Sequence, residues 1–258
     1  MRVAALYDIH GNLPALEAVL EEVREAGVDR VVVGGDVLPG PMPRETLERL
    51  LGLEWPVDFI HGNCELAVLA QIAATDPAAV TYWGTTSGGP LPEPYRGRMV
   101  WTARQLGPEH ERVLASWPRT LRLAIDGLGE VLFCHATPRS ETEVFVRSTP
   151  DDRLLPLLQP LGVSLVVCGH THMPFDRVVG TTRVVNAGSV GAPFGAPGAY
   201  WALLGPGVEL LRTDYDLERA AERIRGTDYP AAEQEAAELL APPTERQMLE
   251  MFSRAELK

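Results

Sequence analysis

Seven side chains in this chain stand at the ends of short apolar runs and belong to residue types that bind metals. They are Asp8 and His10 in Asp8-Ile9-His10, Asp36 in Gly35-Asp36, Asn63 in Gly62-Asn63-Cys64-Glu65, His135 after Cys134, and His170 and His172 in Gly169-His170-Thr171-His172. Two carboxylates, an amide and four imidazoles make a donor set of oxygen and nitrogen without thiolate. Such a set suits Mn²⁺, Fe, Zn²⁺ or Ni²⁺ better than the all-oxygen shells of Mg²⁺ or Ca²⁺. It exceeds what one ion of roughly four to six ligands needs, and suffices for two ions if a carboxylate bridges. Singly, the members are ordinary: Gly35-Asp36 and Gly62-Asn63 are turn sequences, and a lone D-x-H or His135 is weak. Two strand-end imidazoles two positions apart are less common, and four of the chain's six histidines fall in the set.

These groups need a scaffold that brings strand ends to one rim. RVAALY (2–7), DRVVVGG (29–35) and VDFIHG (57–62) read as strands rich in β-branched residues. Between the first two, Asn12 as N-cap, Pro14 near the first turn, and Leu16, Val19, Leu20 and Val23 at helical spacing predict a helix. PRETLERLLGL (43–53) predicts another. Strands alternating with helices imply βαβ units, an α/β fold whose ligands gather beyond the carboxyl ends of the strands. From 65 to 119 the pattern turns helical: ELAVLAQIAA, a Gly/Pro-rich loop over 84–98 with the look of a lid, then a helix around 98–116 that ends at Trp117-Pro118. TLRLAID, EVLFCHA and SLVVCGH resume the strands, with a short helix near 150–159. FDRVVG, TRVVNAG, AYWALLG and VELLRTDY then predict one antiparallel meander that completes a second sheet. Residues 216–258 read as charged helices broken by Pro230 and Pro242-Pro243.

In this order the five motifs resemble the calcineurin-like metallophosphoesterases over roughly residues 1–212. The resemblance is closest to the small bacterial and archaeal phosphodiesterases whose third motif reads Gly-Asn-Cys followed by an acid; the NAGSVG turn (186–191) is similar to theirs too. It implies a metallophosphoesterase-type β-sandwich of two mixed sheets flanked by helices, a single domain over 1–258. A helical cap insert (65–119) and a C-terminal helical extension (216–258) fall outside the motifs. It also implies two divalent metal ions, with manganese the leading candidate and iron, zinc or nickel the alternatives. One would take Asp8, His10, Asp36 and His172; the other Asp36, Asn63, His135 and His170, with Asp36 bridging. The implied activity is hydrolysis of small phosphate esters, phosphodiesters first, by a metal-bridging hydroxide, with Asp36, Asn63, Cys64 and His135 at the chemistry. Alternatives are a phosphoprotein or dinucleoside-polyphosphate phosphatase, and a non-catalytic scaffold of the same fold.

In much of that family a histidine follows the motif asparagine and is thought to protonate the leaving alkoxide; here the residue is Cys64. A thiol, with a pKa of about 8.5 against about 6.5 for imidazole, donates a proton less readily at neutral pH. Cys64 is therefore read either as a weak donor, which would favour aryl esters and other good leaving groups, or as a small packing residue. His61 is an alternative donor. Arg139 is a candidate phosphate clamp against the reading of a surface arginine. Tyr82, Trp83, Tyr95, Trp101 and Trp117 either stack a nucleobase or pack the insert. His110 reads as a solvated helix residue, and Cys134 and Cys168 as buried hydrophobes.

The bulk composition narrows the rest. A formal charge of −12 over 258 residues argues against a nucleic-acid polymer as partner and leaves room for a small anion at a locally positive site. Three cysteines do not make a disulfide framework. No apolar run reaches the roughly 18–20 residues a bilayer demands, and MRVAALYDIHGN reads as a first strand rather than a signal peptide. A cytoplasmic protein without membrane partners is expected, with a homo-oligomer left open.

Overall fold

The structure, a computed structural model, describes residues 1–76, 80, 93–255 and 257, apart from the side chain of Pro94. Its first sheet begins with β1 (Val3–Leu6), β2 (Arg30–Val33) and β3 (Val57–Phe59), which are parallel. Every residue of β1 is buried, because both faces of the sheet are covered. Val3, Ala5 and Tyr7 face the second sheet, while Ala4 and Leu6 face the helices. This period of two, buried on both sides, is why the run is continuously apolar.

The helices cover the outer face of that sheet. In α1 (Leu13–Glu25) the Asn12 side chain accepts a hydrogen bond from the Ala15 N–H at 3.1 Å, and Leu16, Val19, Leu20 and Val23 are buried. α2 (Pro43–Leu51) buries Thr46, Leu47 and Leu50. α3 (Asn63–Ala73), α4 (Glu93–Gln105) and α5 (Pro108–Ser116) follow. Residues 93–98, expected in a loop, are the first turns of α4; the rest of that loop, 84–92, lies outside the described residues.

The second sheet holds β4 (Thr120–Ile125), β5 (Gly129–Cys134), β6 (Leu165–Cys168), β7 (Phe175–Val179) and β8 (Thr182–Asn186), in the order β4-β5-β6-β8-β7. Its outer face packs on α6 (Asp151–Leu158) through Leu132, Cys134, Leu154, Leu158, Val166 and Cys168. Cys134 and Cys168 are thus buried hydrophobes, as their positions suggested.

The last four strands are not one meander. β7 and β8 form a hairpin in the second sheet, with β8 parallel to β6. β9 (Ala199–Leu204) and β10 (Val208–Thr213) return to the first sheet, where β9 lies antiparallel to β1. The physical reason is in β9: Ala199, Trp201 and Leu203 bury against the helices, while Ala202 and Leu204 bury between the sheets. A strand apolar on both faces belongs beside β1 in the interior of a covered sheet. The molecule is therefore a sandwich of two mixed sheets with helices on both outer faces. The Tyr7 hydroxyl joins the two sheets by donating to the Val167 carbonyl at 3.0 Å. α7 (Leu217–Arg225), α8 (Ala232–Leu240) and α9 (Glu245–Phe252) close the chain.

Candidate metal centre

All five motifs lie just beyond the carboxyl ends of strands, three from the first sheet and two from the second. Their loops are laced together by backbone hydrogen bonds that continue past the sheets. Asp8 N–H donates to Gly35 O (3.1 Å), His10 N–H to Asp36 O (3.0 Å) and Gly169 N–H to His135 O (2.8 Å). This lacing holds a backbone that side chains resist. Asp8, His10, Asp36, His170 and His172 all have φ between 47° and 66°, and Leu257 is the one other non-glycine residue described with positive φ. Each left-handed residue costs on the order of 1–2 kcal/mol, so five in one place mark a site whose surroundings enforce it. Two glycines make the approach possible. A Cβ on Gly62 would lie 2.1 Å from Asp36 Oδ1, and one on Gly35, at φ +92°, would lie 2.5 Å from Gly62 N.

The side chains converge. His172 Nε2 lies 3.3 Å from Asp8 Oδ1 and 3.2 Å from His10 Nε2. His135 Nε2 lies 3.5 Å from Asp36 Oδ2 and 3.0 Å from Asn63 Oδ1. His10 Nε2 is 3.9 Å from Asp36 Oδ2, which links the two halves. Asp8, His10 and His172 form one group of ligand atoms within 4.8 Å of one another; Asp36, His135 and His170 form another, and His10, Asp36 and Cys64 a third. All seven expected residues are therefore brought together.

Hydrogen bonding aims the rings. His135 Nδ1 meets the Gly34 carbonyl at 3.0 Å and His172 Nδ1 the Ala192 carbonyl at 2.6 Å. A carbonyl only accepts, so each Nδ1 carries the proton and each Nε2 turns its lone pair inward when the ring is neutral. Burial, with a neighbouring imidazole in support, lowers His10 and His170 to a pKa of about 4, so both are neutral near pH 7. Burial also works against a charge on His135, but Asp36 and then Asp8 override it and raise that ring to about 10. Asp36 is pressed upward by burial and carried well below the usual carboxylate range by His135.

The charge balance asks for cations. Asp8 Oδ1 is wholly buried and has no hydrogen-bond partner among the described residues, though three Nε2 atoms lie 3.3–4.0 Å away. Asn63 Oδ1 and the His135 Nε2 lone pair also confront each other, two acceptors with a gap fit for a positive charge. The raised pKa of His135 is a proton filling that role, and a metal ion at the same place would replace it.

Sequence reasoning missed the groups that position this set. Glu65, fully buried, accepts backbone N–H bonds from Gly62 (2.7 Å), Asp36 (2.8 Å) and Leu38 (3.1 Å). Burial and then the Asp36 charge push its carboxyl up to about 7 against the pull of those donors. In the NAGSVG turn, Ser189 Oγ donates to the Asp8 carbonyl at 2.7 Å, and Asn186 Nδ2 donates to the Gly169 carbonyl at 2.6 Å. Resemblance marked the Gly-Asn-x-Glu and NAGSVG stretches but assigned these side chains nothing.

Of the remaining candidates Cys64 borders the centre, and the others fall elsewhere. Cys64 lies at the start of α3 with its N–H on Asp36 Oδ1 at 2.9 Å, and its Sγ accepts from Asn63 Nδ2 at 3.3 Å. Burial, then Asp36, raise its thiol well above the ordinary value, which keeps it protonated. His61 donates its backbone N–H to Pro118 O, and its ring joins none of the ligand groups found among the described residues. Arg139 forks onto Glu143, with Nε 2.8 and 3.0 Å from the two oxygens, and is tied there rather than at the centre. His110 is not solvated: it is buried, and its Nδ1 caps α5 by accepting the Gly107 N–H at 3.0 Å. Trp117 stacks on Phe59 and Trp101 meets Tyr229 edge-on, so both are packing residues. Tyr95 is exposed beneath the Arg98 guanidinium, and Tyr82 and Trp83 lie outside the described residues.

A profile of the calcineurin-like phosphoesterase superfamily domain matches residues 1–205. The chain belongs to the calcineurin-like phosphoesterase superfamily. Within that fold it is similar to hypothetical protein PH1004 from Pyrococcus horikoshii OT3, with a TM-score of 0.76 and 24% identity, covering 92% of this chain and 97% of that one. It is also similar to a metallophosphoesterase from Sphaerobacter thermophilus, with a TM-score of 0.68 and 27% identity over 93% of this chain and 99% of the other. The phosphodiesterase YfcE of Escherichia coli strain K12 is 36% identical over 77 residues, 26% of this chain and 42% of that protein. Membership carries a general phosphoesterase activity with it. No helix among the described residues is long and apolar enough to cross a membrane.

Proposed function

We propose that this calcineurin-like phosphoesterase is a metal-dependent phosphodiesterase acting on small phosphate esters in the cytoplasm. Two divalent cations, manganese first among the candidates, would be held by Asp8, His10, Asp36 and His172 and by Asp36, Asn63, His135 and His170. When bound, such cations would neutralise phosphate charge, acidify a water and polarise the phosphoryl oxygen. The observation that carries the reading is Asp8 Oδ1, buried, unpartnered and ringed by imidazole nitrogens. Only the charged forms of His172 and His135 compensate that carboxylate in the metal-free protein, and a cation would take over that part.

The chain's own groups divide the remaining work. Asp36 keeps Oδ1 on the Cys64 N–H and leaves Oδ2 facing both His135 and His10, the arrangement a bridging ligand requires. Asn63 contributes an oxygen without adding negative charge, so the centre stays attractive to a phosphate. Cys64 holds its proton on Sγ beside Asp36 and releases it reluctantly, which favours esters whose alcohol leaves unaided. In the reaction a water oxygen joins phosphorus and gives up a proton, the bond from phosphorus to the departing oxygen breaks, and the departing group leaves with the electron pair, as phenolate or, after taking a proton, as alcohol.

The test is a metal-titrated assay of the metal-stripped protein with bis(p-nitrophenyl) phosphate. Turnover that rises with added Mn²⁺ and saturates near two ions per chain is expected. Absence of turnover with Mn²⁺, Fe²⁺, Zn²⁺ and Ni²⁺ alike would overturn the hydrolase reading in favour of a scaffold.

A further inference from the structure

The two halves of the centre are held by different parts of the chain. Asp36 and His135 are fixed by the Glu65 carboxylate, the Cys64 N–H and the Gly34 carbonyl. Asp8 and His172 are fixed by residues 189–195, a segment beyond β8. Ser189 Oγ donates to the Asp8 carbonyl at 2.7 Å and accepts the Ala192 N–H at 2.8 Å. The Ala192 carbonyl in turn takes the His172 Nδ1–H at 2.6 Å. One hydroxyl and one residue thus join the two ligands.

The rings of the two halves also differ in enclosure. The His135 side chain is wholly buried, and close packing holds its plane; the His172 side chain keeps 12% of its surface exposed. A hydrogen bond at Nδ1 fixes that atom but lets the ring rock about the bond, since the torsion that turns an imidazole has a broad well. Phe194 removes that freedom. Its ring lies on the His172 ring at 5.0 Å between centroids and 15° between planes, so a tilt of His172 meets a flat wall. Phe194 is itself held from the C-terminal helices. Phe252, the last residue of α9, meets it at 6.2 Å between centroids, and both pack on a cluster of Val146, Met173 and Met248. Gly195 N–H donates to the Pro243 carbonyl at 2.9 Å, one residue ahead of the Thr244 cap of α9.

We propose that Phe194 is a positioning residue for His172, and that α9, by holding Phe194, sets the affinity of the cation position built on Asp8, His10 and His172 alone. The position built on Asn63, His135 and His170 is left to its own supports. The proposal rests on the two-cation reading. A ligand is productive only within roughly 10–20° of its geometry, so a rocking His172 would loosen one ion and spare the other. The motif residues supply the donors, and the C-terminal extension, which carries none of them, supplies the aim of one.

Calorimetric titration of the metal-stripped full chain with Mn²⁺ reads both affinities without any substrate. Phe194→Leu keeps an apolar side chain but loses the flat face. It should weaken one ion by roughly tenfold or more and the other by less than about twofold. Phe194→Tyr returns the ring and should return both affinities. Phe252→Leu alters no ligand and no neighbour of the ions, and it gives the same reading if Phe194→Leu folds poorly: one ion weakened, by a smaller factor. Co²⁺ identifies the position. In Phe194→Leu at limiting cobalt, proton NMR should show the hyperfine-shifted Nδ1 proton of His135 and not that of His172. Unchanged affinities in both Leu variants, equal loss at both ions, or a Tyr variant as impaired as the Leu one would overturn the positioning role and leave the centre standing. Fewer than two ions on the unaltered protein would instead overturn the two-cation reading beneath it.

Discussion

Asp36 meets four demands at once. Its φ is 51°, its N–H donates to Glu65, its carbonyl accepts from His10, and its carboxylate spans from the Cys64 N–H to two imidazoles. No other residue type combines a short side chain, two oxygens and some tolerance of the left-handed region. Asp36→Ala should therefore strip metal from both positions and lower activity by more than about 100-fold, as read by elemental analysis beside the phosphodiester assay. Retention of full metal content would exclude a bridging role. Cys64 makes a second prediction at this scale. A free thiol trails an imidazole as proton donor near pH 7 by roughly 2–3 kcal/mol, and burial beside Asp36 widens that gap. Cys64→His should raise turnover of alkyl esters more than that of aryl esters; a uniform change across a leaving-group series would show Cys64 to be packing alone. The residue types at the centre were plain in the sequence because donor chemistry at strand ends is local information. Glu65 and Ser189 were not, since their partners are backbone groups that come near only after folding.

At the scale of elements, α3 and the loop after β2 are joined through a single carboxylate. Glu65, on the first turn of α3, gathers N–H groups from 27 and 29 residues away as well as from Gly62. Glu65→Gln keeps the shape but turns an amide N–H₂ toward donors, leaving at least one buried N–H unpaired. The expected cost is about 3 kcal/mol of unfolding free energy, measured by urea denaturation, with weaker metal retention. Loss of less than half of that would mean the three bonds matter little. Element existence was legible almost throughout: Asn12 as a cap and the breaks at Pro230 and Pro242-Pro243 follow from local stereochemistry. The partition of the last four strands was not. A hairpin such as β7-β8 and one such as β9-β10 look alike along the chain, and only the vacant, doubly covered flank of β1 decides where the second one goes. His110 was misread for a related reason: a helix-start histidine looks solvated until the Gly107 N–H and Glu48, at 3.5 Å from Nε2, are seen around it.

At the scale of the whole molecule, the centre couples stability to metal and pH. In the metal-free protein His135 keeps its proton to about pH 10, whereas in the unfolded chain it loses it near 6.5. The folded state thus binds that proton more tightly. Its stabilisation is complete below about pH 6.5 and is lost as pH rises toward 10. The buried thiols, raised by desolvation, act in the same direction at the alkaline end. Cations on Nε2 would replace the proton and remove most of this dependence. The melting temperature of the metal-free protein should accordingly fall more between about pH 6.5 and 9.5 than that of the metal-loaded protein. Parallel curves for the two forms would contradict the charge balance drawn above.

The lacing of the loops has a consequence for biosynthesis. The Asp8 carbonyl is held by Ser189 Oγ and by the Gly191 N–H, so the earliest ligand in the chain is completed by residues made some 180 positions later. A nascent polypeptide halted on the ribosome before Gly191 has emerged has Asp8, His10 and Asp36 laced through Gly35 and Asp36 but lacks the clasp on the Asp8 carbonyl. The last clasp on the first strand's ligand loop is thus closed only when the second half of the chain has been made.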